Sequence, residues 1–223
     1  MNKEEILNTP SGEVTVIFAT ENENKMVEIR EIMEGLPIKL LSLKDIGIRS
    51  QAEETGATFS ENSEIKARDI FDRLRADKEL SKKDIIVMAD DSGLCIDALH
   101  GAPGVLSARW LGHDTGYDEK NRIVLERLKD VPFEKRGAAF VCDICAVLPD
   151  GSVLHAEEEM RGAIAERSAG ENGFGYDPIF FLPEYGKTSS EIPREEKNRI
   201  SHRGKALKKM SESLKNYLKK AGC

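Results

Sequence analysis

An excess of positive charge, the usual mark of a nucleic-acid-binding protein, is missing from this sequence. Its 33 lysines and arginines are outnumbered by 40 aspartates and glutamates, so the formal net charge is -7. Affinity for nucleic acids comes largely from basic side chains that neutralise phosphates. The charge therefore argues against a DNA- or RNA-binding module. A phosphate compound can still bind where local basic groups and a metal ion outweigh the global charge.

Long apolar runs are also missing. No stretch is long enough to span a bilayer, and the opening residues, MNKEEILNTPSGE, lack the hydrophobic segment of a signal peptide. We therefore expect a cytoplasmic protein. The composition, 39% hydrophobic and 33% charged, is typical of a globular chain, and 223 residues can bury a sizeable core.

Several familiar functional motifs are absent. The four cysteines, at positions 95, 142, 145 and 223, do not form a disulfide framework in a chain of this length, and we interpret them as reduced thiols. Cys142 and Cys145 have no second pair and lie in a strand pattern, which disfavours zinc or redox use. No G-x-G-x-x-G loop links a strand to a helix, and no G-x-S-x-G elbow is present.

Strands alternate with helices along most of the chain. Apolar β-branched runs predict strands, and apolar residues at spacings of three and four predict helices. The predicted strands cover residues 14–19, 38–43, 85–89, 140–148 and 152–163, with the turn Pro149-Asp150-Gly151 between the last two. Four helices are predicted: one after Thr20, one that Ser60 caps, one over residues 117–128, and one that begins near Ser201 and buries Leu207, Met210, Leu214 and Tyr217. This alternation, with its long hairpin, predicts an α/β domain with a mixed sheet flanked by helices.

No repeat or linker divides the sequence. The polar residues 1–13 predict a loose N-terminal extension. Residues 14–223 are predicted to form a single domain.

The first candidate site is the loop between the first strand and the first helix. A helix N-terminus offers free N–H groups and a positive dipole end, which suit a phosphate, and a lysine adds a full charge. The same residues are also compatible with an ordinary helix cap with solvated charges. The residues of this loop are Thr20, Glu21, Asn22, Glu23, Asn24 and Lys25.

The second candidate site is Asp90-Asp91-Ser92-Gly93, directly after an apolar strand. Two adjacent carboxylates at the end of a buried strand are costly unless they are paired, and a divalent cation such as Mg²⁺ would pair them. A plain turn is the alternative, because Asp, Ser and Gly favour turns.

The third candidate site is the glycine-rich segment 170–178. Its glycines allow close backbone approach to a flat ligand, and Phe174 or Tyr176 could stack on a base. The alternative is a surface loop with a core aromatic residue. Residues 53–56, 195–199 and 201–204 add loop carboxylates and cations that are typical of solvated surfaces when taken singly.

Taken together, these residues resemble the inosine-triphosphate pyrophosphatase family, also called Ham1-like or dITP/XTP pyrophosphatases. The resembling motifs run in family order and cover nearly the whole chain from about residue 14. They are FAT at 18–20 leading to Lys25, EETG at 53–56 with TF at 58–59 and EN at 61–62, KAR at 66–68, ADDSG at 89–93, GAPG at 101–104 with SAR at 107–109, GFGYDPIF at 173–180, and EEK at 195–197 with SHRGKAL at 201–207. One departure is Glu21, where many relatives have glycine. If the glycine lets phosphates approach the backbone, Glu21 must point away.

The resemblance implies an elongated α/β fold of two lobes with a central active-site cleft, and usually a homodimer. It implies Mg²⁺-dependent hydrolysis of non-canonical purine triphosphates (ITP, dITP and XTP) to the monophosphate and pyrophosphate. By resemblance, Glu53 and Asp91 would hold Mg²⁺, and Asp91 would be the catalytic base. The implied nucleotide-binding residues are Thr20, Glu21, Asn22, Glu23, Asn24 and Lys25 for the triphosphate, Ser92 and Lys197 for further contacts, Phe174, Gly175, Tyr176 and Asp177 for the base pocket, and His202 and Arg203 for purine recognition.

Two alternatives remain open from the sequence. A pyrophosphatase for modified pyrimidine nucleotides would share the metal and phosphate residues and differ in its base pocket. A nucleotide sensor without turnover is disfavoured because binding alone does not need Glu53, Asp91 and Lys25 together.

Overall fold

The computed structural model describes residues 2–9, 13–112 and 114–221. The strands are β1 (Val14–Phe18), β2 (Ile38–Ser42), β3 (Ile85–Ile96), β4 (Gly137–Val147), β5 (Val153–Ile164), β6 (Phe180–Leu182) and β7 (Lys187–Thr188). The helices are α1 (Glu4–Leu7), α2 (Glu23–Ile32), α3 (Phe59–Arg75), α4 (Tyr117–Arg127), α5 (Arg194–Ile200) and α6 (His202–Ala221). Short 3₁₀ turns cover Leu80–Lys82, Asp97–Leu99, Gly104–Leu106, Phe133–Lys135, Asp177–Ile179 and Ser189–Glu191.

The strands form one seven-stranded sheet in the order β2-β1-β3-β4-β5-β6-β7. β1 pairs in parallel with β2 and β3, whereas β6 pairs antiparallel with β5 and β7. The loop between β4 and β5 is closed by the Leu148 N–H, which donates to the Ser152 carbonyl at 2.8 Å. The mixed α/β sheet and the hairpin at residues 149–151 are therefore confirmed.

The described chain divides into two compact units. The first unit comprises the residues up to Asp91, Asp143–Glu157 and the residues from Ala206 onward. Its apolar core is built on the sheet and on α3, where Ile17, Ile70 and Val87 are fully buried. Strand β3, with twelve residues, contributes to both units, because its residues up to Asp91 belong to the first unit and the following ones to the second.

The second unit comprises Ser92–Cys142 and Glu158–Lys205. It has its own core, in which Leu94, Val124 and Phe180 are fully buried. Phe180 packs against Phe140 with ring centroids 4.5 Å apart. Two separate apolar clusters explain why the chain forms two units on one sheet.

Residues 2–9 differ from the loose extension that the composition of residues 1–13 suggested, whereas residues 1 and 10–12 lie outside the described residues. Residues 4–7 form α1, and Ile6 is only 1% exposed within the core of the first unit. The Lys3 ammonium pairs with Asp77 at 2.5 Å and with Glu79 at 3.1 Å. One buried isoleucine with flanking ion pairs is enough to anchor residues 2–9.

Three predicted details are corrected by the structure. Helix α3 is capped by Thr58 rather than Ser60, because Thr58 and Glu61 form a reciprocal capping box. Residues 194–200 form helix α5 rather than a loop. On α6, Leu207, Met210 and Leu214 are buried as predicted, but the last buried side chain is Leu218 rather than Tyr217, which is only partly buried.

Among the described residues, no helix combines the length and the apolar character needed to cross a membrane.

Candidate active site

The first candidate loop connects β1 to α2. Asn22 is the N-cap of α2, and its Oδ1 accepts a hydrogen bond from the Lys25 backbone N–H at 3.2 Å. Thr20 Oγ1 accepts from the Asn22 N–H at 3.2 Å. Glu23 and Asn24 in the first turn are exposed. The loop therefore ends in an ordered N-terminus of a ten-residue helix, the kind of element that binds phosphates.

Glu21, the departure from the family pattern, is held by the neighbouring loop. Its Oε1 accepts a hydrogen bond from the Ser50 backbone N–H at 3.0 Å. The carboxylate thus has a donor of its own within the first unit. This contact supports the expectation that Glu21 points away from a bound phosphate.

The paired aspartates do not form a turn at a strand end, contrary to one interpretation of the sequence. They lie within β3, which continues to Ile96, and Asp90 and Asp91 are only 2% and 6% exposed. Successive side chains in a strand point to opposite faces, so the two carboxylates have different partners. The Lys25 ammonium lies 3.0 Å and 3.1 Å from the two Asp90 oxygens. The Lys66 ammonium lies 2.7 Å from Asp91 Oδ1. The strand can continue because each buried charge is paired.

Lys66 links two carboxylates of the first unit. Its ammonium also lies 3.0 Å from Glu54 Oε1. Burial alone would lower the pKa of Lys66, but the neighbouring carboxylates, Asp91 foremost, outweigh burial and raise it above its usual 10.5. Burial raises the pKa of Asp91 above 3.8, with the Lys66 charge opposing this shift. A carboxylate with a raised pKa is a better proton acceptor than an ordinary aspartate.

Asn62 completes the surroundings of Asp91. This side chain is fully buried, and its Nδ2 donates to Asp91 Oδ2 at 3.4 Å, while its Oδ1 accepts from the Gly56 N–H at 2.8 Å. A methyl group on Gly56 would lie 2.7 Å from Asn62 Oδ1, so this close approach requires glycine. The segment 53–56 is thereby tied to α3 beside Asp91.

The predicted metal ligands are only partly brought together. Glu53 is exposed, and within the described part of the chain no group of three or more His, Cys, Asp or Glu side chains is arranged to hold a metal ion. Glu54 and Asp91, however, converge on one cation, the Lys66 ammonium, at 3.0 and 2.7 Å. Carboxylate oxygens are hard donors, which Mg²⁺ prefers as ligands. Glu54 and Asp91 therefore supply two oxygen donors of the kind that Mg²⁺ prefers, and Glu54 is a further candidate ligand.

The glycine-rich segment lies in the second unit, where Phe174 is partly buried. Its ring faces two cations: the Lys197 ammonium is 5.2 Å and the Arg203 guanidinium carbon 5.6 Å from the ring centroid. Cations at this distance are attracted by the ring face. Phe174, Lys197 and Arg203, which the sequence separates widely, are thus brought together.

Asp177 and Lys197 form a buried ion pair rather than an open pocket wall. Asp177 Oδ2 lies 2.6 Å from the Lys197 ammonium, and the two residues are 3% and 6% exposed. Asp177 also accepts from the Phe174 N–H at 2.8 Å and from the Ser189 hydroxyl at 2.9 Å. The pair fixes the segment that carries Phe174.

Tyr176 does not have the ligand-stacking position that the sequence allowed. It is 3% exposed, and its hydroxyl donates to the Ser107 carbonyl at 3.0 Å. Burial raises the pKa of this hydroxyl. Of the two aromatic residues only Phe174 has a ring face toward polar groups. Gly175 adopts φ +71°, which favours glycine.

His202 and Arg203 begin α6 and are both buried. The His202 ring stacks on Phe140 with centroids 4.9 Å apart and planes inclined by 10°. Arg203 Nη2 donates to Ser92 Oγ at 3.1 Å. The structure therefore brings Ser92 and Arg203 into direct contact and gives His202 a packing partner.

The residues that sequence reasoning missed are Lys66, Glu54 and Asn62, to which it assigned no role. Their contacts with Asp91 join positions far apart in the chain, so no local pattern identifies them. The only available indication was that they lie in the motifs that carry the family resemblance.

The sequence and the fold of this chain are similar to those of known proteins. The model of the Ham1 family matches residues 16–213. A dITP/XTP pyrophosphatase of Clostridium perfringens is 47% identical over 203 residues, covering 91% of this chain and 98% of the relative. One of Caldanaerobacter subterraneus is 45% identical, covering 89% and 95% of the two chains. The solved structure of a HAM1 protein from Coxiella burnetii is 37% identical with a TM-score of 0.78, covering 91% of this chain and 99% of that one. With that coverage and identity, the chain belongs to the Ham1 family.

Proposed function

We propose that this protein hydrolyses the non-canonical purine triphosphates ITP, dITP and XTP to the monophosphate and pyrophosphate, and so removes them from the nucleotide pool. The observation that carries the proposal is the buried Asp91 in β3, paired with a lysine that also binds Glu54. The relatives that are 47% and 45% identical bear the name dITP/XTP pyrophosphatase, which supports the substrate class.

Magnesium is the proposed cofactor. Glu53 and Asp91 would hold it, with Glu54 as the third carboxylate of the set. When bound, Mg²⁺ would offset the negative charge of the phosphates, which otherwise repels a nucleophile.

The triphosphate would bind at the loop from Thr20 to Lys25. The free N–H groups at the start of α2 suit phosphate oxygens, and Lys25 adds a full positive charge. Asp90, which contacts Lys25 through both of its oxygens, would keep the ammonium in place. Lys25 would stabilise negative charge on the leaving pyrophosphate.

Asp91 is the proposed base. Attack of water on the α-phosphorus breaks the bond to the bridging oxygen, releases pyrophosphate and leaves the monophosphate, while a carboxylate accepts the proton of the water. A carboxylate that binds a metal is a weak base, so ligand and base could be divided between the two aspartates. Both oxygens of Asp90 contact one ammonium, that of Lys25, whereas Asp91 has one oxygen on the Lys66 ammonium and the other on the uncharged amide of Asn62. This difference supports Asp91 as the residue that orients the water.

Purine recognition would rest on the second unit. Phe174 offers a ring face for stacking, and Arg203, with backbone N–H groups, offers donors for the oxygen at C6 of inosine or xanthosine. Adenosine carries an amino group at C6, which is a donor and would face the donors of the protein. A buried donor would then be left unpaired, and such mismatches give large discrimination between substrates. Ser92, Lys197, Asp177 and His202 would complete the site.

We also propose a homodimer and a cytoplasmic location, both of which the family resemblance supports. Sedimentation of the purified chain tests the first, and cell fractionation tests the second.

The decisive variant is Asp91→Asn, which keeps the shape of the side chain and removes its charge. Loss of a general base costs about 10² to 10⁴ in rate, so we expect ITP turnover with Mg²⁺ to fall by that factor. Asp84→Asn, an exposed aspartate just before β3, is the matched control and should retain full turnover. Near-normal turnover of Asp91→Asn, with folding confirmed by circular dichroism, would remove Asp91 from the mechanism.

A further inference from the structure

Helix α4 contacts the segment that carries Phe174. Asn121, on α4, is 4% exposed, and its Nδ2 donates a hydrogen bond to the Gly175 carbonyl at 3.1 Å. Both residues belong to the second unit. A buried side-chain amide that binds a backbone carbonyl of an irregular segment fixes the local position of that segment.

Tyr117, at the start of the same helix, supports the next residues. Its ring contacts Tyr176 edge to face, with centroids 5.2 Å apart and planes at 90°. A methyl group on Gly175 would lie 3.6 Å from the Tyr117 ring, so the backbone passes close to this ring. Edge-to-face pairs of this kind have a preferred geometry, which restrains the chain at Tyr176.

The α4 residues are themselves held in place. The Lys120 side chain is 1% exposed, and its ammonium lies 4.8 Å from the Tyr117 ring centroid and donates to the Ala108 carbonyl at 2.5 Å. The neighbouring Ser107 carbonyl accepts the hydroxyl of Tyr176 at 3.0 Å. The segment 107–108, the first turns of α4 and residues 175–176 are thus joined by hydrogen bonds and ring contacts.

Phe174, the residue before Gly175, contacts charged side chains. The Phe174 ring faces Lys197 and Arg203, and the Phe174 N–H donates to Asp177. We propose that Asn121 is a positioning residue that, by holding Gly175, sets the position of the Phe174 ring for recognition of the purine base. This inference rests on the proposed function, and it adds a helix that none of the resembling motifs contains.

If Asn121 positions Phe174, its loss should change KM and kcat differently. Displacement of Phe174 weakens binding of the base and leaves the chemistry at Asp91 unchanged. KM for ITP should therefore rise while kcat changes little. A ligand without a base, such as tripolyphosphate, should bind as before. General structural damage would weaken both ligands.

The test compares Asn121→Ala and Asn121→Asp with Asn216→Ala, an exposed asparagine of α6, as the matched control. For Asn121→Ala we expect KM for ITP to rise about tenfold, with kcat and the inhibition constant of tripolyphosphate within about twofold. Asn121→Asp should raise KM further, because a carboxylate oxygen would face the Gly175 carbonyl oxygen. Unchanged KM in both variants, or an equal loss of tripolyphosphate binding, would overturn the inference.

Calorimetric binding of IMP separates this inference from the proposed function. A wild-type protein that binds IMP but turns over no triphosphate, with IMP binding weakened about tenfold in Asn121→Ala, would refute the function and support the positioning role. Turnover of ITP by the wild type with equal IMP affinity in wild type and variant would refute the positioning role alone.

Discussion

Breaking the buried ion pair of the second unit should lower the stability of that unit. Asp177 and Lys197 are 3% and 6% exposed and lie 2.6 Å apart. Asp177→Asn keeps the size of the side chain and removes its charge. The Lys197 ammonium would then remain buried without the carboxylate that neutralises it.

The expected magnitude follows from the cost of breaking a buried pair. Removal of one partner typically costs about 3 to 5 kcal/mol. In a chain of this size each kcal/mol shifts the melting temperature by about 2 to 4 °C. The melting temperature of the chain should therefore fall by about 6 to 20 °C. Replacement of both charges, in Asp177→Asn with Lys197→Met, should recover much of the loss, because an apolar pair of similar volume is often tolerated.

The sequence supplies a specific probe for this measurement. Trp110 is the only tryptophan of the chain, and it packs against the core of the second unit. Its fluorescence on heating reports the unfolding of that unit, with Asp130→Asn, an exposed aspartate, as the control. A shift below about 2 °C for Asp177→Asn, or a double variant less stable than the single one, would refute the reasoning.

Two further predictions concern charges elsewhere. Lys66→Met removes the ammonium that lowers the pKa of Asp91, so the acid limb of the pH–rate profile should move to higher pH. In steady-state kinetics from pH 4 to 9, kcat should also fall by about 10² or more. An unchanged profile would contradict the role given to Lys66. Hydrogen bonds from Arg199 and Tyr185 lower the pKa of Glu196 from 4.5 to about 2. A depressed carboxyl pKa contributes stability above pH 4.5 that is lost as the pH falls toward 2, so Arg199→Ala should return the Glu196 pKa toward 4.5 in an NMR titration. A value still near 2 in this variant would show that Arg199 is not the cause.

The sequence predicted the elements whose apolar pattern is strong. The strands β1 and β2 and helix α4 lie within a residue or two of their predicted bounds, since each has a clear apolar run or stripe. Helix α5 was missed because its sequence, REEKNRI, offers no apolar face to recognise.

The candidate site was predicted in its residues but not in its contacts. Local spacing identified Asp91 as unusual, yet it could not show that β3 continues through it, because that continuation depends on Lys25 and Lys66 from other elements. Similarly, the alternation of aromatic residues could not decide between Phe174 and Tyr176. The choice depends on Ser107 and α4, which the fold brings to that segment.

The most direct test of the proposed function is chromatography of the products formed from ITP, XTP, dITP, GTP, ATP and dUTP with Mg²⁺. The account predicts fast conversion of ITP, XTP and dITP to the monophosphate and pyrophosphate, slow conversion of ATP, and loss of activity with EDTA. Turnover of dUTP alone, release of orthophosphate and a diphosphate, or tight binding of ITP without turnover would contradict it.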